Sequence, residues 1–138
     1  MRIKIKKLDD DDPPHVQLFI SHGDFAAGQD SYIYDEEFLE FGVGLQSFPQ
    51  DLAHEVSFES GSPDPKYHCY IRLRAFVYDG VGHSALESRV ENHLDEPYSA
   101  TAHFYILCEA ATLNHLGRLL ESWISSKERE FEFSVDDV

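Results

Sequence analysis

Between residues 66 and 109 the side chains alternate between apolar and polar, and the pattern runs three times. Tyr67, Cys69, Ile71, Leu73, Ala75 and Val77 interleave with His68, Tyr70, Arg72, Arg74, Phe76 and Tyr78. Neighbouring strand side chains point to opposite faces, so a period of two predicts a strand with one core face. Asp79-Gly80-Val81-Gly82 breaks the pattern. It then resumes, with Ser84, Leu86, Ser88, Val90 and Leu94 on one side and His83, Glu87, Arg89, Glu91 and His93 on the other. After Asp95-Glu96-Pro97, a third run sets Ala100, Ala102, Phe104, Ile106 and Cys108 against Thr101, His103, Tyr105 and Leu107. The expectation is a three-stranded antiparallel meander.

Gly80-Val81 suits a two-residue hairpin loop with glycine in its first, positive-φ position. That loop fixes a register in which Arg74 faces Glu87, Tyr70 faces Glu91, Leu73 meets Ser88 and Ile71 meets Val90. A slip of one residue would send the two apolar faces to opposite sides. An exposed charge pair contributes only a few tenths of a kcal/mol, so the apolar face sets the register.

Leu113, Leu116, Leu120 and Trp123 or Ile124 recur at helical spacing and predict a helix over about 110–125, its stripe lying on the meander's core face. An earlier helix is expected from Asp35, read as its N-cap, with Phe38, Phe41, Leu45 and Phe48 buried and Pro49 ending it. Gly42, Gly44 and Gly117 argue weakly against both helices. Ile3 and Ile5, alternating with Arg2, Lys4 and Lys6, read as a strand whose lysine-rich face suits a sheet edge. Residues 15–21 read as a second strand and 54–59 as a short one. Residues 31–34 and 130–135 are weaker strand candidates, and 25–29 have no clear pattern. The fold class is therefore α+β: a mostly antiparallel sheet, centred on the meander and packed by two helices. The 138 residues suit a single domain, 1–138.

Formal net charge is −15, from 26 acidic and 11 basic residues. Such a surface repels phosphate backbones, which disfavours nucleic acid as a partner, and it favours encounter with basic proteins. No run is apolar enough to span a membrane and no export signal is evident, so the expected location is cytoplasmic, with Cys69 and Cys108 as buried thiols. Asp9 to Asp12 form an acidic loop without the spacing of a calcium-binding loop.

Chemistry is sparse. No serine or cysteine sits in a nucleophile turn, no phosphate loop is present, and the carboxylates form no acid/base pair. An enzyme is not expected, and no cofactor is implied. In the register above His68 faces His93 near Glu91, which would need further ligands to hold zinc or copper. A metal- or small-ligand-binding protein using these histidines and nearby carboxylates is the alternative reading.

The meander's outer face carries aromatic and arginine side chains, the composition of interaction hot spots. The candidate partner-binding residues are Tyr70, Arg72, Arg74, Tyr78, Glu87, Arg89, Glu91 and Tyr105. The bland alternative is that the N-terminal strands or the first helix cover this face. Self-association through a sheet edge or this face is a third reading.

Five stretches stand out together: Tyr34-Asp35-Glu36-Glu37-Phe38-Leu39-Glu40-Phe41, Tyr70-Ile71-Arg72-Leu73-Arg74, Gly82-His83-Ser84-Ala85-Leu86-Glu87, Ala102-His103-Phe104-Tyr105-Ile106 and residues 113–120. In their order they resemble the WapI-like immunity proteins of bacterial polymorphic toxin systems. The likeness is one of pattern over 31–125. It implies a cytoplasmic antidote, encoded beside its toxin, that binds and blocks a toxin domain, with no catalytic residues. The acidic charge of the chain suits a basic toxin.

Overall fold

A computed structural model describes residues 1–136. Eight strands and two helices follow in the order β1 (Arg2–Lys7), β2 (His15–His22), β3 (Phe25–Tyr32), α1 (Asp35–Gln46), β4 (Val56–Gly61), β5 (Tyr70–Val77), β6 (Ser84–Glu91), β7 (Thr101–Cys108), α2 (Ala110–Ser126) and β8 (Glu130–Ser134). The class is α+β and every strand pair is antiparallel. The strands form two four-stranded sheets, ordered β3-β2-β1-β8 and β4-β5-β6-β7.

The meander is β5-β6-β7, in the expected register: Arg74 pairs with Glu87, Tyr70 with Glu91, Leu73 with Ser88 and Ile71 with Val90. The turn that delivers this register differs from expectation. Gly82, not Gly80, takes the positive φ, at 93°. The Asp79 carboxylate accepts the backbone N–H groups of Val81 and His83 at 3.0 Å each and closes the loop. Tyr67, Leu94 and Ala100, expected on the core face, are exposed. They lie beyond the strand ends, where His93 at φ 52° breaks the alternation.

The lysine-rich N-terminal strand is not an edge. β8 pairs along its free side, so β1 lies inside its sheet. The two strands carry complementary alternation: Arg2 pairs with Glu132 at 2.9 Å and Lys6 with Glu130 at 3.7 Å, while Ile3, Ile5, Phe131 and Phe133 turn inward.

α2 covers the expected residues, and its stripe enters one core with the inner face of the meander; it also packs closely on α1, with its end on β8. Gly42 and Gly117 mark the crossing. A Cβ on Gly117 would lie 2.4 Å from the Gly42 carbonyl oxygen, so the backbones touch where any side chain would hold them apart. Asn114 donates to the carbonyls of Leu45 and Phe48 at 2.7 Å each, capping the end of α1. At the other end of α1 the N-cap is Tyr34, not Asp35; its N–H donates to the Glu37 carboxylate at 2.8 Å. Asp35 instead forms the first turn and meets Lys7 at 2.6 Å.

The inner faces of the two sheets and both helices share one core. Phe38 of α1 stacks on Phe58 of β4 at 5.1 Å and meets Trp123 of α2 edge-on at 5.8 Å. β3 lies against β4, β6 and β7, and the Ser31 and Ser60 hydroxyls bond across that junction at 2.6 Å. The first sheet and the helices therefore take up the meander's inner face and leave its outer face open. Cys69 is buried and Cys108 partly so, both free. Burial raises both thiol pKa values, that of Cys108 to about 11, which keeps them poor nucleophiles.

Candidate functional site

The ladder of the second sheet places its outward side chains in rows. Glu59, Arg72, Arg89 and His103 form one row across the four strands; Ser57, Arg74, Glu87 and Tyr105 form the next. Arg72 and Arg89 stand directly opposite each other, a pairing of like charges that is tolerable only with anions beside it. Glu91 takes Arg89 at 2.6 Å, and Glu59 lies 3.8 Å from Arg72.

Glu87 is the centre of this face. Only 5% of it is exposed, on an interior strand. Its carboxylate accepts Arg74 Nε at 2.7 Å, His103 Nε2 at 2.8 Å and the Tyr105 hydroxyl at 3.3 Å, with Arg72 at 3.9 Å. Burial alone would raise its pKa. The hydrogen bonds from His103 and Arg74 and the charges of Arg74 and Arg72 outweigh that, so the carboxyl is held below its ordinary value. Arg74 also bonds Glu55 and lies over the Phe76 ring at 4.1 Å. The Arg74 and Arg89 guanidiniums are therefore held in place, which lowers the entropy lost when a partner meets them.

Beside this charged knot lies an apolar end. Phe76 meets Tyr105 edge-on at 5.9 Å, and Tyr78 stacks on His83 at 6.0 Å. Tyr78, Tyr105 and Leu107 are 46%, 47% and 64% exposed.

The sequence-derived residues thus divide by depth. Arg72, Arg74, Tyr78, Arg89 and Tyr105 reach the surface. Tyr70 and Glu87 are buried and Glu91 nearly so; they support the face from below rather than meet a partner. Tyr70 lies under the Arg89 guanidinium, 5.4 Å away, and its hydroxyl donates to Glu59 at 3.3 Å. Sequence reasoning missed Glu55 and Glu59, because the pairing of β4 with β5 carries no local signal, and it passed over His103 although the alternation already set it on the outer face. It also passed over Leu107 as a contact, although the alternation already placed Leu107 on the outer face.

The strand pairing does not extend to His68 and His93. Both lie outside the strands. His68 Nε2 donates to the Asp30 carbonyl at 3.2 Å, and His93 Nδ1 to the Tyr67 carbonyl at 2.8 Å, so each ring is anchored to a different backbone segment. His93 Nε2 lies 3.1 Å from Glu91. Among the described residues, no three His, Cys, Asp or Glu side chains gather to hold a metal ion. The Asp9 carboxylate is used within its own loop, accepting the N–H groups of His15 and Asp11.

No helix among the described residues is long and apolar enough to cross a membrane. Compared with known proteins, the chain matches no family model, no curated protein and no solved structure.

Proposed function

We propose that this protein is a non-catalytic binding domain that neutralises a toxin by covering it, using the outer face of the β4-β5-β6-β7 sheet. One observation carries the reading. A sheet face left open by the rest of the fold sets a fixed arginine–glutamate knot beside an exposed patch of Tyr78, Tyr105 and Leu107. Aromatic and arginine side chains, held rigid next to apolar surface, dominate the binding energy of protein interfaces.

The charge plays a separate part. Arg72, Arg74 and Arg89 are offset by Glu55, Glu59, Glu87 and Glu91, so the contact face is close to balanced. The net charge of −15 resides mostly elsewhere and acts at long range, speeding encounter with a basic toxin domain. The face then supplies shape and apolar burial at contact.

The test is titration calorimetry with the product of the neighbouring gene. A complex at submicromolar Kd, weakened about thirtyfold or more by Leu107→Ala or Tyr105→Ala, supports the reading. No complex at micromolar concentration, or a complex indifferent to both substitutions, overturns it.

A further inference from the structure

The outer face of the other sheet forms the floor of a groove of about 1080 Å³. Its middle row, read across β3, β2, β1 and β8, is Gly28, Phe19, Lys4 and Glu132. His68, His93 and Leu94, from segments next to β5 and β6, overhang it and are tied down by the histidine bonds to backbone carbonyls. A volume of this size suits a small organic molecule.

The groove's other cations are engaged. Arg2 holds Glu132 through two nitrogens at 2.9 and 3.0 Å, and Lys6 lies 3.7 Å from Glu130, while the Asp30 carboxylate lies 3.4 Å from the His15 imidazole. Lys4, half-buried between these pairs, has no ion pair or side-chain hydrogen bond among the described residues. Its expected cross-strand partner, Glu132, is taken diagonally by Arg2. Beside it Gly28 leaves the floor flat next to the Phe19 ring.

We propose that this groove binds a flat organic molecule with a single negative charge, of the aromatic carboxylate class, its carboxylate on Lys4 and its ring over Gly28 between Phe19 and Leu94. One unpaired ammonium matches one charge. The net charge of the chain disfavours a di- or triphosphate. The site is separate from the proposed toxin-binding face and does not depend on it.

The test is an NMR titration of the full chain with indole acetate and naphthoate, with indole acetamide as the neutral control. Saturable shifts at the amides of Lys4, Phe19, Gly28 and His68 are expected. The amide should bind about tenfold more weakly, and Lys4→Gln should weaken the carboxylates by a similar factor. Gly28→Leu should abolish binding without harm to the fold. Gly28 is exposed, and an added Cβ meets nothing closer than 3.7 Å. Absence of shifts with both carboxylates at millimolar concentration overturns the proposal. So does equal binding of acid and amide, or undiminished binding by Lys4→Gln. The wild-type titration and the Lys4→Gln arm stand even if Gly28→Leu fails to fold.

Discussion

Replacing Glu87 by alanine removes the anion on which Arg74, Arg72, His103 and Tyr105 converge. Stripping one partner from a buried ion pair costs about 3–5 kcal/mol, because the remaining charge stays desolvated. Here the stranded charges are not fully buried. Arg74 is 21% exposed and keeps Glu55; Arg72 is 30% exposed and keeps Glu59. Partial solvation brings the expected loss to about 2 kcal/mol for Glu87→Ala. Glu87→Gln retains one acceptor oxygen and should lose about 1 kcal/mol. Urea unfolding followed by circular dichroism measures both; with a slope of about 1–3 kcal/mol per molar, alanine should lower the midpoint by about 1 M and leave the slope unchanged. The pH dependence has a definite sign. The Glu87 carboxyl pKa is lowered in the fold, so its stabilisation is complete above the ordinary glutamate value of about 4.3 and is lost as pH falls through the folded value. The gap between wild type and Glu87→Gln should therefore be constant near neutrality and close in acid. A Glu87→Ala midpoint within error of wild type, or a gap that widens in acid, would refute the reasoning.

Three further outcomes follow from the same geometry. Gly117→Ala should destabilise by about 1–3 kcal/mol in the same urea assay, because its methyl group would force apart helices already in backbone contact. Ser88→Ala should raise stability by up to about 1 kcal/mol, since the Ser88 hydroxyl is buried without a hydrogen-bond partner among the described residues; a loss of stability would reveal one. Arg2→Gln, which breaks an exposed pair with Glu132, should change stability by less than about 0.5 kcal/mol, and a larger thermal or urea shift would show that β1–β8 pairing depends on that charge.

The meander was legible because one face of it is buried. Wherever Ile71, Leu73, Leu86, Val90, Phe104 and Ile106 alternate with polar residues, burial enforces the period of two and the register with it. Its ends were not legible, since nothing in the identities of Tyr67, Leu94 or Ala100 says that the ladder stops before them. β3 was caught only at its end, as the weak candidate over 31–34, for the opposite reason. Its sequence, Phe25-Ala26-Ala27-Gly28-Gln29-Asp30-Ser31-Tyr32, has few strand-forming side chains, and it is held by pairing with β2 and by the Ser31–Ser60 bond. The division into two sheets turned on β8, whose Glu/Phe alternation complements the Arg-Ile-Lys-Ile of β1. That match is visible only when both ends of the chain are compared. Gly42 and Gly117 looked unfavourable one helix at a time; their purpose is tertiary, as the point where the two helices meet. The candidate site was half legible: alternation located the outward residues, but whether they stood in water or served as scaffold depended on what covered them. Tyr70 and Glu87 share the outer side with Tyr105, yet the side chains around them take them out of solvent.

Oxidative footprinting, with and without the product of the neighbouring gene, tests the proposed surface most directly because it reads side-chain exposure residue by residue. The account predicts that Tyr78, Tyr105 and Leu107 lose reactivity in the complex while Tyr98 and Phe25, exposed elsewhere, keep theirs. Unchanged oxidation of Tyr105 and Leu107 in a complex that protects Tyr98 or Phe25 would contradict it.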